Sequence, residues 1–401
     1  MILLKIVFYT SVFSIIHSYI FYPLSLKFLL LFYNKKSKTL ASFQNEWPIV
    51  STITSVFNEE SVIRKKVLSI IQSNYPNELL NIFLGSDASS DRSDELMEQL
   101  QKEYPNIHFS RFNSRRGKTS VINDLMKYAF ELNPQSKDHI LIFTDANVIL
   151  DPMAIHNMVR NFSNVKIGLV DSKIIPFSHQ SEGIAMAEIK YINFETQIKK
   201  WEGELWGVMM GAFGGCFAVR SNLVHHIPTH LITDDFYISM KVLEQNGQLI
   251  NDIDAICFEG IPNLIEEEFK RKLRISSGNF QCLSLFRHFL YQPPWTRAYA
   301  FISHKLLRWL GPIFLFLIYI SCSILAMQIG NIYIPLFILV NIFYFLIPTL
   351  DWTLSKFNIH IKLFRGVRYF LSMNIALFLG LIKYLRGIKH SVWEPPKRNQ
   401  I

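Results

Sequence analysis

The chain carries no GxGxxG run and no GxxxxGK followed by Ser or Thr, so neither a dinucleotide fold nor a P-loop nucleotidase is favoured. Any phosphate it binds must be met by a metal ion and by isolated basic side chains. Cysteine is scarce: Cys216, Cys257, Cys282 and Cys322 stand far apart, with no CxxC and no histidine at ligand spacing. Neither a zinc site nor a disulfide framework is supported, and a reducing compartment is the simpler reading. Acidic residues are in deficit, 32 against 41 lysines and arginines, which leaves a formal net charge of +9. Such a surplus can serve nucleic acid, but here the basic residues cluster beside apolar segments, as in NKKSK at Asn34 to Lys38 and IKLFRGVR at Ile361 to Arg368. That favours a cytoplasmic membrane face, and no nucleic-acid partner is expected.

What is abundant is apolar residues. They make up 50% of the 401 positions, and the mean hydropathy of +0.19 is high for a wholly soluble protein. The excess lies at the two ends. Between Lys5 and Lys27 an apolar run is long enough to cross a bilayer core of about 30 Å at ~1.5 Å per residue. It reads as an anchor within residues 1–33, because the shorter apolar region and small-residue cleavage site of a secretory signal are not seen. Residues 34–47 form a polar connector and 48–300 an α/β domain on the cytoplasmic side of an inner (cell) membrane. Residues 301–390 form a second membrane region and 391–401 a tail. Spans are expected near 310–327 and 332–350, joined by QIGN. The segment 367–386 has 14 residues between Arg368 and Lys383, short of the usual ~20, so an interfacial or re-entrant course is favoured over a crossing. The large central domain and the lack of intramembrane charges argue against a transporter.

Within the middle, short branched runs alternate with helical periodicity. Strands are expected at Ile49 to Val56, Ile82 to Leu84, Ile107 to Phe112 and Ile140 to Thr144. A helix carries Val62, Ile63, Val67, Leu68, Ile70 and Ile71, and another runs from Lys118 to Leu132. This order implies a mostly parallel, doubly wound sheet, whose ligands bind beyond the carboxyl ends of its strands. Asn58, Asp87, Lys118 and Asp145 all fall at or just after such ends, which points to a nucleotide site. In ILIFTDANVIL, Ile140 to Leu150, Asp145 and Asn147 stand two apart and point the same way on extended chain. Such a pair can hold a hard divalent cation against a diphosphate; an ordinary strand end with an Asx turn is the alternative. Lys118 is a candidate phosphate partner or a solvated lysine at a helix start. Asp234 and Asp235 precede the helical pattern Phe236, Ile238, Met240, Val242 and Leu243, where helix capping competes with a chemical role.

Six stretches in order resemble the membrane-bound inverting glycosyltransferases of family 2, a group that includes cellulose, hyaluronan and poly-N-acetylglucosamine synthases. VFNEE at Val56 to Glu60 looks like the family's first-strand motif, and SDASSD at Ser86 to Asp91 like its DDGSTD element. RGKTSVIN at Arg116 to Asn123 is similar to its GKxxALN segment, and TDAN at Thr144 to Asn147 takes the place of its DxD. GAFGGCFAVR at Gly211 to Arg220 and TDDFYISMKVLEQNG at Thr233 to Gly247 resemble its glycine-rich stretch and its TED helix. The resemblance implies a GT-A fold in an α/β domain flanked by membrane helices, and Mg2+ or Mn2+ as cofactor. It also implies a nucleotide-sugar donor, with UDP the expected carrier, and a glycan or lipid-linked acceptor. By the same resemblance Asp235 is the base for the acceptor hydroxyl, and Asn58, Glu60, Asp87, Lys118, Asp145 and Arg274 contact the donor. Asp145 and Asn147 hold the metal, and Gly214, Gly215 and Asp234 lie on the acceptor side. Where processive members carry QxxRW, this chain reads Arg271-Lys272-Leu273-Arg274-Ile275, which lacks the aromatic platform for a growing polymer. Few carboxyl-terminal spans also mean that a polymer channel would need a partner subunit or a homo-oligomer. FISHKLLRWLGP, Phe301 to Pro312, resembles the family's approach to its second membrane region, and Trp393, Pro395 and Pro396 resemble its terminal stretch. A non-catalytic scaffold that keeps the fold is the competing reading.

Overall fold

A computed structural model describes residues 1–33, 47–134, 138–177, 185–260, 265–330, 332–357 and 359–388. The NKKSK cluster, most of the connector, Asn331 of the QIGN turn and the tail with Trp393, Pro395 and Pro396 lie outside the described residues. Two compact units result, one drawn from 47–177 and 192–260, the other from 1–29, 185–191 and 265–387.

The first unit is built on a sheet. Strand β1 (Ile49–Val56) pairs in parallel with β2 (Leu80–Ser86) and β4 (His139–Thr144), and β2 pairs in parallel with β3 (Ile107–Arg111). The remaining strands are β5 (Val148–Leu150), β6 (Ile167–Phe177), β7 (Cys216–Arg220) and β8 (Gln248–Gly260). The order is β3-β2-β1-β4-β7-β6-β8-β5. β7 runs antiparallel to both β4 and β6, β5 antiparallel to β8, and β6 parallel to β8. The expected parallel half is therefore present, and a mixed half that the alternation did not reveal extends it. β4, all six of whose residues are buried, joins the two halves. The apolar run Ile140 to Phe143 within it follows from having both faces covered.

Each sheet face is covered by helices whose apolar stripes match it. Helix α2 (Ile63–Ile71) brings Ile63, Val67 and Ile70, and α3 (Ser93–Glu103) brings Met97 and Leu100, into one cluster with Val50, Ile82, Ile140 and Ile142. Helix α4 (Lys118–Leu132) buries Val121, Ile122, Leu125 and Met126. A Cβ on Gly85 of β2 would lie 2.5 Å from Val121, so close helix-to-sheet packing requires glycine there. Phe143 and Phe217 stack across the β4–β7 pair with centroids 5.2 Å apart. Two further helices, α5 (Ala154–Arg160) and α6 (Ala185–Trp206), precede α7 (Asp234–Glu244).

Among the described residues, the second unit has four helices long and apolar enough to cross a membrane: α1 (Ile2–Phe32), then, after the amphipathic α8 (Ile265–Leu285), α9 (Gly311–Ile329), α10 (Tyr333–Ser355) and α11 (Lys362–Leu385). The last is a continuous helix of 24 residues running through its basic flanks, so the count of 14 apolar residues understates its length. The apolar segments are not free of charge as expected. Asp351 of α10 is buried and pairs with Arg368 of α11 at 3.2 Å, which neutralises both. Ser276 of α8 donates to the Leu377 carbonyl at 2.9 Å, and Gly380 leaves room for that serine. Ile142→Ala at the centre of β4 should lower unfolding stability by about 2–5 kcal/mol, because the cavity lies between two covered faces; chemical denaturation of the detergent-purified chain checks this.

Candidate active site

The carboxyl ends of the parallel strands carry the site. After β1, Asn58 sits at φ 53°, and its side-chain oxygen accepts the Ser90 N–H at 2.8 Å. Glu60 accepts the Arg92 N–H at 2.9 Å, while its own N–H donates to Asp91 at 3.0 Å. These oxygens thus fasten the turn that follows β2. Asp87 is buried in that turn and accepts two backbone donors, Arg116 N–H at 2.7 Å and Gly117 N–H at 3.0 Å. Gly117, at φ 88°, makes the bend that lets α4 begin at Lys118. Asn58, Glu60 and Asp87 are therefore gathered as expected, with their side chains organising the loops on which a donor would rest.

Lys118 is not a solvated lysine. Its Nζ lies 2.9 Å from Asp145 and 3.3 Å from Asp234, which brings three of the expected residues to one point. Burial alone would lower this ammonium, but Asp145 and Asp234 outweigh it and hold Lys118 above the usual lysine range. Asp234 and Asp235 open α7, whose N-cap residue Thr233 makes no side-chain capping bond. Two further residues of α4 position the approach to that helix: Thr119 donates to the Leu231 carbonyl at 3.2 Å, and Asn123 clamps Ile227 through both its N–H (2.9 Å) and its carbonyl (2.8 Å). The Asp235 carboxyl is pushed up to about 6 by burial and by repulsion from Asp234, against the attraction of Lys118 and a bond from the Phe236 N–H. A carboxylate tuned towards neutrality is suited to accept a proton.

The glycine-rich stretch faces this group. A Cβ on Gly214 would fall 2.7 Å from Asp235 Oδ2, so glycine makes the space that Asp235 occupies. Gly211 has φ +84°, and a Cβ there would meet Phe236 at 2.5 Å. A Cβ on Gly215 would instead meet Ile174 and Val148, so its smallness serves sheet packing. Its carbonyl accepts both the Asp145 N–H and the Thr144 hydroxyl, each at 3.0 Å. Three buried side chains hold the rest of this loop: Glu202 accepts from Met210 N–H, Asp171 from Phe213 N–H and Ser239 from Ala212 N–H, at 2.9–3.0 Å. Asp171 is itself paired with buried Lys199 at 3.3 Å. The sequence reading missed these residues, and also Lys66. Lys66 lies three residues after Ile63 and four before Ile70, on the apolar stripe of α2, and a lysine at such a position is the signal that could have exposed it.

Among the described residues no three His, Cys, Asp or Glu side chains form a metal cage. Asp145 and Asn147 lie in the turn between β4 and β5, and among the described residues the buried Asn147 amide nitrogen has no hydrogen-bond partner. An amide oxygen and a carboxylate fit a hard cation whose other ligands come from phosphate and water. Arg274 belongs to the helical unit, half-buried on α8. Arg271, three residues before it, is held by Glu188 at 3.2 Å and Glu268 at 3.3 Å.

The glycosyl transferase family 2 model matches residues 51–226, and the glycosyl transferase family group 2 model matches residues 140–350. The chain belongs to this family. The chain is 24% identical over 280 residues to the beta-monoglucosyldiacylglycerol synthase of Synechocystis, covering 66% of this chain and 55% of that one. It is 24% identical over 239 residues to the poly-beta-1,6-N-acetyl-D-glucosamine synthase of Staphylococcus epidermidis, covering 58% and 55%. The chain thus spans about half the length of the curated relatives it matches. A mannosyltransferase from Pyrobaculum calidifontis, solved with GDP-Man and Mn2+, superposes with a TM-score of 0.69 over 95% of this chain and 99% of that one, at 17% identity. The GT-A fold expected from the six motifs is therefore present. Gly214→Ala should displace Asp235 and so lower any sugar-transfer kcat at least about tenfold, with nucleotide-sugar affinity within about twofold of the unaltered chain; turnover and binding measured side by side test it.

Proposed function

We propose that the protein is a membrane-embedded, inverting glycosyltransferase that moves a sugar from a nucleotide diphosphate to a lipid-linked or membrane-close glycan acceptor. The observation that carries the reading is the meeting of Asp145, Lys118, Asp234 and Asp235 at the carboxyl edge of the parallel strands. In the transfer, the acceptor hydroxyl oxygen bonds to the anomeric carbon as the bond from that carbon to the diphosphate breaks. Asp235 takes the hydroxyl proton, and the nucleoside diphosphate leaves with the bonding electron pair. A single base and direct displacement invert the anomeric centre. Lys118, poised between two carboxylates, is the cation nearest at hand for the departing diphosphate. Asp145 and Asn147 would hold Mg2+ or Mn2+, which when bound neutralises charge on the leaving group. The diphosphate role of Arg274 rests on the resemblance alone.

The membrane part of the reading is supported by four helices of sufficient length and apolarity, and orientation towards the cytoplasm by the basic clusters in the sequence. Transfer of one or a few sugars is favoured over polymerisation. Arg271 stands where processive members have glutamine and is tied by Glu188 and Glu268, and Ile275 stands where they have tryptophan. The names of the relatives span a glucolipid synthase, a polysaccharide synthase and an enzyme solved with GDP-Man, so the donor panel must include GDP- as well as UDP- and dTDP-sugars.

Nucleotide release from that panel by the detergent-purified chain, with Mn2+ or Mg2+ and extracted membrane lipid, is the test. Release from one donor, absent with EDTA and lost in Asp235→Asn while donor binding persists, is expected. Normal turnover by Asp235→Asn would overturn the base assignment. Asp145→Ala should weaken donor binding only when metal is present, and equal affinities with and without EDTA would remove the metal role. Because the Asp235 carboxyl is raised to about 6, the ionised base forms only as pH rises through that value. Turnover should climb through pH 6 and level off above about pH 7. The same shift means that the folded state binds this proton more tightly than the unfolded chain does. The associated stability is present below the ordinary carboxylate range and lost as pH rises through about 6, so Asp235→Asn should be the more stable protein at neutral pH.

A further inference from the structure

Lys66 is wholly buried on α2, with 0% of its surface exposed. Its Nζ donates to the Thr144 hydroxyl at 2.6 Å and to the Val148 carbonyl at 2.5 Å. Both partners are neutral, and a buried charge with neutral partners is costly to the fold. The two acceptors flank the metal-side turn, one residue before Asp145 and one after Asn147. The same helix reaches further along this segment. Ser69 accepts the Leu150 N–H at 3.2 Å, and the Asn74 N–H beyond the helix donates to the Pro152 carbonyl at 2.7 Å.

Thr144 passes the link onward. While accepting from Lys66, it donates to the Gly215 carbonyl, the acceptor also used by the Asp145 N–H. Gly215 follows Gly214, which makes room for the Asp235 carboxylate. One run of contacts thus joins the buried ammonium, the turn that carries Asp145 and Asn147, and the loop that seats the base.

From this geometry we infer that Lys66 is a positioning residue for transfer: it sets the spacing of Asp145 and Asn147 and, through Thr144 and Gly215, the register of that turn against Asp235. The inference rests on the transferase reading above. It explains why a lysine is kept where the apolar stripe of α2 would be filled better by leucine or methionine. Replacing an unpaired buried charge with an apolar side chain of similar length is expected to leave the fold as stable or more so, while releasing the turn.

The test uses the full-length, detergent-purified chain with Mn2+ and UDP or GDP, whichever the unaltered chain binds. Lys66→Met should weaken metal-dependent nucleotide affinity at least about tenfold, with Tm unchanged or raised. Thr144→Val, which keeps the lysine and removes the hydroxyl relay, should weaken it in the same direction. The double variant should be no weaker than Lys66→Met, because both act through one link. Affinity within about twofold of the unaltered chain, additive losses in the double variant, or a loss accompanied by a Tm drop of more than about 5 °C would overturn the inference. Absence of nucleotide binding by the unaltered chain would instead overturn the transferase reading, and this inference with it.

Discussion

Three carboxylates, Asp145, Asp234 and Asp235, are drawn together at the edge of the sheet, and one ammonium, that of Lys118, balances them. Without the lysine, like charges at this spacing would repel and protonate. With it, Asp145 has an opposite charge 2.9 Å away, and Asp235 is left part-way between acid and base. The arrangement needs α4 to start at a fixed point, which is why Asp87 spends both oxygens on the Arg116 and Gly117 N–H groups. It equally needs α7 to start at a fixed point, which Thr119 and Asn123 secure from α4.

Stability is given up in several places to reach that geometry. Lys66 is buried with neutral hydrogen-bond acceptors, Asp235 is held above its ordinary ionisation range, and Gly211 occupies a left-handed conformation against Phe236. These departures cluster in the turn after β4, the glycine loop and the start of α7. Away from them the sheet unit is conventional, with buried strands under amphipathic helices. The helical unit shows a comparable concentration of buried charge at Glu188, Glu268, Arg271 and Lys272, where α6 begins and α8 runs. There Glu188 also meets the hydroxyl of Tyr369 on α11. That cluster commits Arg271 to its own unit.

Much of the parallel half could be read directly. β1 spans Ile49–Val56 and α4 spans Lys118–Leu132, as the periodicity predicted, because local apolar pattern and glycine breaks coincide there. The mixed half escaped, since β6 and β8 pair residues some 80 positions apart and β8 carries polar residues through its middle. Local pattern does not encode such pairing. The last apolar segment was judged by its uncharged core, whereas the helix runs on through its flanking lysines and arginines, whose long stems are compatible with helix ends at an interface.

The sequence by itself determined the class: six motifs in order, carrying the aspartates, the lysine and the glycines, belong to one family and one fold. It determined this because those residues are demanded by chemistry and by backbone geometry at fixed points along the chain. Only the tertiary structure decided which of them meet. Lys118 could be a surface lysine until α4 and α7 are packed, and Lys66 reads as one more helix charge until α2 lies across the turn after β4. Proximity between residues 66, 144 and 215 is a property of packing, because it joins a helix, a strand end and a loop that lie far apart along the chain.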